Sequence, residues 1–211
     1  MAKRQIKISC IGISFIDPII DLYLKLKRLK FSGYSKTQVS SRENGYSVSI
    51  IVLLILLVES SLNRIRYLEK HKEGNLKFFS SRFSTNPELV NKLYEIYVLR
   101  DLIVHNHIWR ISYEFDNNYN EIKIYQKLLK DYGDKKYKKY VNKRKKITKT
   151  LKLNINPIKI NKEDVNKVFK FVSDFFKFLE KENRGYFPLS NFNFKYRRKY
   201  LTFYEFVDKL V

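Results

Sequence analysis

The sequence predicts a mainly α fold: a helical bundle interrupted by one small, basic, β-containing insertion. Three observations lead there. Several long stretches carry apolar residues at three- and four-residue spacing, the period of a helix with one buried face. Glycine and proline are scarce, 6 and 4 in 211 residues, which disfavours a sandwich or barrel built from many tight turns. Strand-like alternation shows in the stretch between about residues 109 and 160. With 44% apolar and 16% aromatic residues, the chain has enough side chain to fill a core. Its length fits a single domain over 1–211, with a helical core at about 17–110 and 162–211 and the insertion at about 110–160.

The elements follow in order. Asp17 and Pro18 can cap and open a first helix reaching about Phe31, with Ile19, Leu22, Tyr23, Leu26 and Leu29 on one side. The polar segment SGYSKTQVSSRENGY reads as a loop. A long helix is expected from about Ser47 to His71, apolar all round in its first half and amphipathic in its second. Its longest apolar run, Val48 to Val58 with only Ser49 interrupting, is far short of the roughly 20 residues that span a bilayer, so it reads as a central core helix. KEGNLKFFSSRFST is expected to be a loop. Asn86 and Pro87 form a cap and first-turn proline for a third helix running to about Ile108. WRISYEFDNNYNEIKIYQKLL alternates around DNNYN like a β-hairpin, and ITKTLKLNINPIKI looks like a strand. Asn161 caps a fourth helix whose apolar positions 165, 168, 169, 172, 175, 176 and 179 form one stripe, ended by Gly185. A short helix starts near Thr202.

Net charge is the strongest bulk signal. At +22, the chain repels itself and attracts polyanions at range, with nucleic acid first and an anionic membrane surface second. Residues 127–152 hold twelve Lys or Arg against two Asp, interleaved with Tyr132, Tyr137 and Tyr140. Phosphate neutralisation by Lys135, Lys136, Lys138, Lys139, Lys143, Arg144, Lys145 and Lys146, with tyrosines as stacking surfaces, would suit RNA. Arg197 and Arg198, flanked by Lys195 and Lys199, form a second basic cluster. The bland alternative for both is a solvated charged surface. The lone Cys10 excludes an internal disulfide or a cysteine-based zinc site and fits a reducing cytoplasm. The basic, then mildly apolar start is broken by Asp17 and Pro18 and reads as mature sequence.

The stretch VLRDLIVHNHIW concentrates the candidate chemistry. Arg100, Asp101, His105, Asn106 and His107 crowd the end of an otherwise apolar helix. Asp101 and His105 are four apart and share a face, so the carboxylate can orient the imidazole. Arg100 and His105 are five apart, about 140° around an ideal helix. They reach one substrate only if the arginine uses its length, the helix distorts, or a second copy contributes. From spacing alone, Arg100 and Asp101 can equally be a structural ion pair beside a semi-buried His105.

LRDLIVHNHIW, preceded by a long apolar helix carrying Glu59 in LLVESSLNRI, resembles the HEPN superfamily, whose members share an R-x4-6-H motif. Arg100, Asp101, His105 and Asn106 match the motif positions, although Asp101 stands where Asn is commoner. The resemblance covers about residues 17 to 110, with the helix at 162–184 as a candidate to complete the bundle. It implies a dimer in which two motifs face each other across a cleft. It also implies metal-independent endoribonuclease activity, frequently in toxins or phage-defence effectors, and hence a neutralising partner such as an antitoxin. No cofactor or metal is implied.

On that basis His105 would take the proton from an RNA 2′-hydroxyl or protonate the departing 5′-oxygen. Arg100 would neutralise charge on the phosphoryl oxygens, and Asp101 would hold the imidazole. Glu59 can help position Arg100 if their helices pack together, or be a plain salt bridge at the core edge. Asn106 can donate to phosphate or cap the helix, and His107 is a secondary candidate for substrate contact. A divalent-metal nuclease needs clustered carboxylates, and the sequence has no D-x-D or HExxH grouping, P-loop or G-x-G-x-x-G. The expectation is therefore a homodimeric cytoplasmic ribonuclease acting on RNA, without a membrane role. The alternative is a non-catalytic helical module that binds nucleic acid or a protein partner.

Overall fold

The structure is a computed structural model, and it describes residues 11–29, 38–105, 109–118, 121–128, 135–182, 189 and 192–211. The fold is mainly α, with short β-hairpins appended. Helix α1, Ile16–Arg28, starts two residues earlier than a cap at Asp17 would set it; Asp17 instead lies in its first turn, where a carboxylate suits the helix dipole. A 3-10 turn at Ile11–Phe15 precedes it. That turn touches the next helix closely: the Gly12 N–H donates to Ser60 Oγ at 3.0 Å, and a Cβ on Gly12 would stand 3.0 Å from the Ser60 Cβ. Glycine is what permits the approach.

Helix α2, Ser41–Leu68, is longer at its start than the sequence reading placed it. Ser40 accepts the Glu43 N–H at 3.2 Å, so the Ser-x-x-Glu signal of a helix start lay inside the stretch read as a loop. Helix α3, Asn75–Arg82, is a second correction, because KEGNLKFFSSRFST was expected to be irregular. Its helicity rests on tertiary burial of Phe78 and Phe79 more than on propensity. Helix α4, Pro87–Val104, has the expected cap, Asn86 Oδ1 accepting from Leu89 N at 3.1 Å. Helix α6, Lys162–Lys181, opens on a reciprocal capping box between Asn161 and Asp164. Helix α7, Phe203–Leu210, has the same device between Thr202 and Glu205.

Helix α2 is the centre of the bundle, packing against α1, α3, α4 and α6. Every position of the α6 stripe named from the sequence is buried. Phe169 meets Tyr23 edge-on and Phe206 at a tilt, and Phe175 meets Phe79 at a tilt and Phe176 edge-on. Each fully buried Phe contributes about 2–3 kcal/mol of apolar transfer. Helix α2 is long and apolar enough to cross a membrane, yet half of its most apolar window is buried inside the molecule, the position of a core helix.

The segment after α4 begins with the expected hairpin, β1 (Trp109–Phe115) against β2 (Glu121–Leu128), antiparallel with an irregularity between Glu114 and Phe115. Helix α5, Lys135–Tyr140, follows, then two-residue strands β3, Val141–Asn142, and β4, Ile147–Thr148. The strand expected over ITKTLKLNINPIKI forms only at β4 and an isolated bridge from Ile147 to Asn154, and it ends in a 3-10 turn at Pro157–Lys159. Thr148, Lys149 and Ile155 N–H still donate to backbone carbonyls, but four other donors go to side chains instead of a ladder. Thr150 N and Leu151 N donate to the two oxygens of Glu95 at 2.6 and 2.7 Å, Leu153 N to Thr148 Oγ1, and Asn154 N to Asp164. Strands β5, Asn193–Tyr196, and β6, Lys199–Thr202, form a hairpin the sequence reading did not place.

Glu95 is fully buried on α4, and it fastens the basic segment to the bundle. Around it a second small core gathers Val98 and Leu102 of α4 with Tyr137, Tyr140, Val141 and Ile155. Tyr94 stacks flat on Tyr140, with centroids 4.8 Å apart. Replacing Glu95 by Ala strands two backbone donors and opens a void, so Glu95→Ala is expected to lower unfolding free energy by roughly 2–4 kcal/mol. Urea denaturation measures this, and an unchanged midpoint would show that the carboxylate is not the fastening.

Candidate active site

Arg100 lies near the C-terminal end of α4, on the side facing α2, where Glu59 meets it. Its Nη1 donates to Glu59 Oε1 in a very short contact, while Nε and Nη2 donate to Asp101 Oδ1 at 3.0 and 2.8 Å. The guanidinium also lies over the Tyr97 ring, 5.1 Å from its centroid. A guanidinium has five N–H donors, so these three bonds leave two, one on each terminal nitrogen. The side chain keeps 27% of its surface exposed. Partial burial pushes its pKa down, but hydrogen bonding to Asp101 and the charges of Glu59 and Asp101 outweigh this and hold it above its ordinary value. Burial, then the Glu59 charge, pushes the Tyr97 phenol well up. Arg100 is thus a fixed cation with half-occupied ends.

His105 is the residue at which α4 stops; its backbone N–H donates to Asp101 O at 3.0 Å. The residue is exposed, and its imidazole has no hydrogen bond or ion pair among the described residues. This corrects the expectation that Asp101 holds the imidazole: the Asp101 carboxylate turns to the adjacent Arg100, whose charge is the stronger attractor. It also corrects the picture of a semi-buried histidine. Glu59 does pair with Arg100, as helix packing allowed. Asn106 and His107 lie outside the described residues.

Within one chain, Arg100 and His105 are not joined. Arg100 looks to α2. His105 stands three residues beyond Leu102, on the row of α4 positions that faces α5. No three His, Cys, Asp or Glu side chains among the described residues come together as a metal site.

The basic residues fall into two places. Lys138 and Lys139 are exposed on α5, and Lys143, Arg144 and Lys145 are exposed in the turn between β3 and β4. Lys146 is half-buried in a left-handed conformation, φ 56°. Lys135 and Lys136 belong to α5, and their side chains lie outside the described set, as does Tyr132. Tyr137 and Tyr140 are 5% and 6% exposed, so they are core residues and not the stacking surfaces expected of them. Lysines cover them instead, Lys143 over Tyr137 and Lys139 over Tyr140. Arg197 and Arg198 form the tip of the β5–β6 hairpin. The sequence reading missed Glu95 and Tyr97. Tyr97 could have been found, because it precedes Arg100 by three residues and must share its helix face.

No family model matches the chain, and no curated protein or solved structure matches it.

The pairing of Glu59 with Arg100 has a stability consequence. Glu59→Ala is expected to cost about 1–2 kcal/mol in the wild type, and much less when Arg100 is already Ala. A double-mutant cycle in urea reads this coupling; full additivity would mean that the two side chains act independently.

Proposed function

We propose that this protein is a metal-independent endoribonuclease of HEPN type, working as a homodimer, in the manner of a toxin or phage-defence effector. The observation that carries the reading is a part-exposed Arg100 clamped by Glu59 and Asp101 with two donors left over, five residues before an exposed His105 at a helix end. The net charge of +22 supplies the attraction for RNA. A two-fold axis at the ends of two α4 helices brings Arg100 of one copy towards His105 of the other, which a single protomer does not do.

In that arrangement one imidazole takes the proton of a 2′-hydroxyl as its oxygen attacks the adjacent phosphorus. The bond to the 5′-oxygen breaks, and that oxygen receives a proton from the second imidazole or from water. The products are a 2′,3′-cyclic phosphate and a free 5′-hydroxyl. The two remaining N–H groups of Arg100 supply donors for non-bridging oxygens. Glu59, Asp101 and the Tyr97 face set the guanidinium plane beforehand, so little ordering is needed as charge builds. Lys138, Lys139, Lys143, Arg144 and Lys145 neutralise backbone phosphates beyond the cut.

A second reading has its own support. An arginine shared between two carboxylates is also a self-contained ion cluster, which suits a non-catalytic helical module that binds nucleic acid or protein. The two readings separate on cleavage of single-stranded RNA in EDTA. The first expects products from the wild type and a loss of at least a hundredfold in His105→Ala. Equal cleavage by both proteins, or by neither, would remove His105 from catalysis. Expression offers a second readout: growth arrest relieved by His105→Ala fits the toxin assignment.

A further inference from the structure

The β5–β6 hairpin and the last turn of α7 enclose a cleft of about 550 Å³, within the range of small-ligand sites. Its lining divides by chemistry. Arg197, Arg198, Lys199 and Lys209 supply the charge, while Tyr196, Leu201 and Leu210 supply an apolar wall. Among the described residues no carboxylate lines it, and none pairs with Arg197, Arg198 or Lys199. Lys209 alone has an acidic neighbour, Glu205 at 3.5 Å in an exposed pair.

The walls are rigid. Phe194 on the hairpin packs edge-on against Phe206 of α7, with centroids 5.4 Å apart. The Leu210 carbonyl accepts from Tyr23 Oη at 2.9 Å and Lys27 Nζ at 2.8 Å, which ties the end of α7 to α1. The tip is built from arginine where a hairpin ordinarily uses glycine or asparagine. Arg197 adopts φ 55°, a left-handed conformation, and its guanidinium sits 5.3 Å from the Tyr196 ring centroid. That turn holds two guanidinium groups at the mouth of the cleft.

We propose that this cleft is a nucleotide pocket that takes one unpaired residue of an RNA strand. Its phosphate sits on Arg198, Lys199 and Lys209, and its base lies along Tyr196, Leu201 and Leu210. The inference deepens the RNA reading above and rests on it. Cation and apolar wall occur side by side, which matches a nucleotide, anionic at one end and flat and weakly polar at the other. An anionic lipid surface fits less well, because such docking scales with the protruding apolar area it buries. On the described parts of the hairpin and α7, the exposed large apolar residue is aromatic, Tyr200, at 70% exposure.

The test uses full-length protein with His105→Ala, so that RNA stays intact, and fluorescence anisotropy of a short labelled oligouridylate. Adding Arg198→Glu and Lys199→Glu is expected to weaken binding by tenfold or more and to flatten the salt slope by about two. Thermal melting of that variant should match its parent. Uridine 5′-monophosphate should compete better than inorganic phosphate, which lacks the base. Equal competition by the two would overturn the pocket and leave only an anion patch. Unchanged RNA binding in the cleft variant, with loss on reversing Lys143, Arg144 and Lys145, would overturn the pocket but leave the RNA reading standing. Absence of RNA binding in every form, or retention on phosphatidylserine vesicles in its place, would overturn both.

Discussion

Helix α4 is held from two sides by carboxylates, and the rest of the molecule depends on that placement. On one side Glu95, buried within α4, reaches out to the backbone of residues 150 and 151 and fastens the basic segment. On the other, Glu59 of α2 reaches in to Arg100. A buried charge without partners costs several kcal/mol, so each carboxylate dictates what must lie opposite it. Glu95 requires backbone donors, and it finds them on a stretch that has no sheet to join. Glu59 requires a cation and fixes Arg100. The helix presenting the candidate motif is thereby locked between the bundle core and the cationic surface.

This dual anchorage separates the two members of the motif. Successive α4 positions turn by 100°, so a residue aimed at α2 cannot share a row with one five places later. Arg100 is rigid, pre-charged and partly covered, whereas His105 is exposed where the helix ends. A cation held beforehand and an imidazole without partners among the described residues suit a site completed by a second copy.

Much of the fold was legible in the residues themselves. The caps at Asn86, Asn161 and Thr202 are local chemistry, written in one side chain and the N–H groups that follow it. The α6 stripe was legible because every third or fourth residue is Val, Phe or Leu. Where local signals were weak, tertiary contacts decided. Helix α3 has few apolar residues, and burial of Phe78 and Phe79 organises it. The stretch 147–160 alternates like a strand, and Leu153 and Ile155 do face inward, but four of its backbone donors go to Glu95, Thr148 and Asp164. No periodicity encodes such side-chain acceptors from distant helices. The β5–β6 hairpin escaped because its turn is Arg197-Arg198 and not a glycine or asparagine pair.

In the candidate site, the sequence marked Arg100, Asp101, His105 and Glu59, and structure redistributed their roles. Asp101 serves the arginine, and the stacking surfaces expected at Tyr137 and Tyr140 are core. The central claim is that a competent site takes Arg100 from one protomer and His105 from the other. Subunit mixing measures this most directly: Arg100→Ala and His105→Ala proteins, each inactive alone, are denatured together, refolded and assayed on RNA. Random pairing should restore about a quarter of wild-type activity, since half the dimers are mixed and each regains one of two sites. Mixtures as inactive as the parents would contradict the shared site.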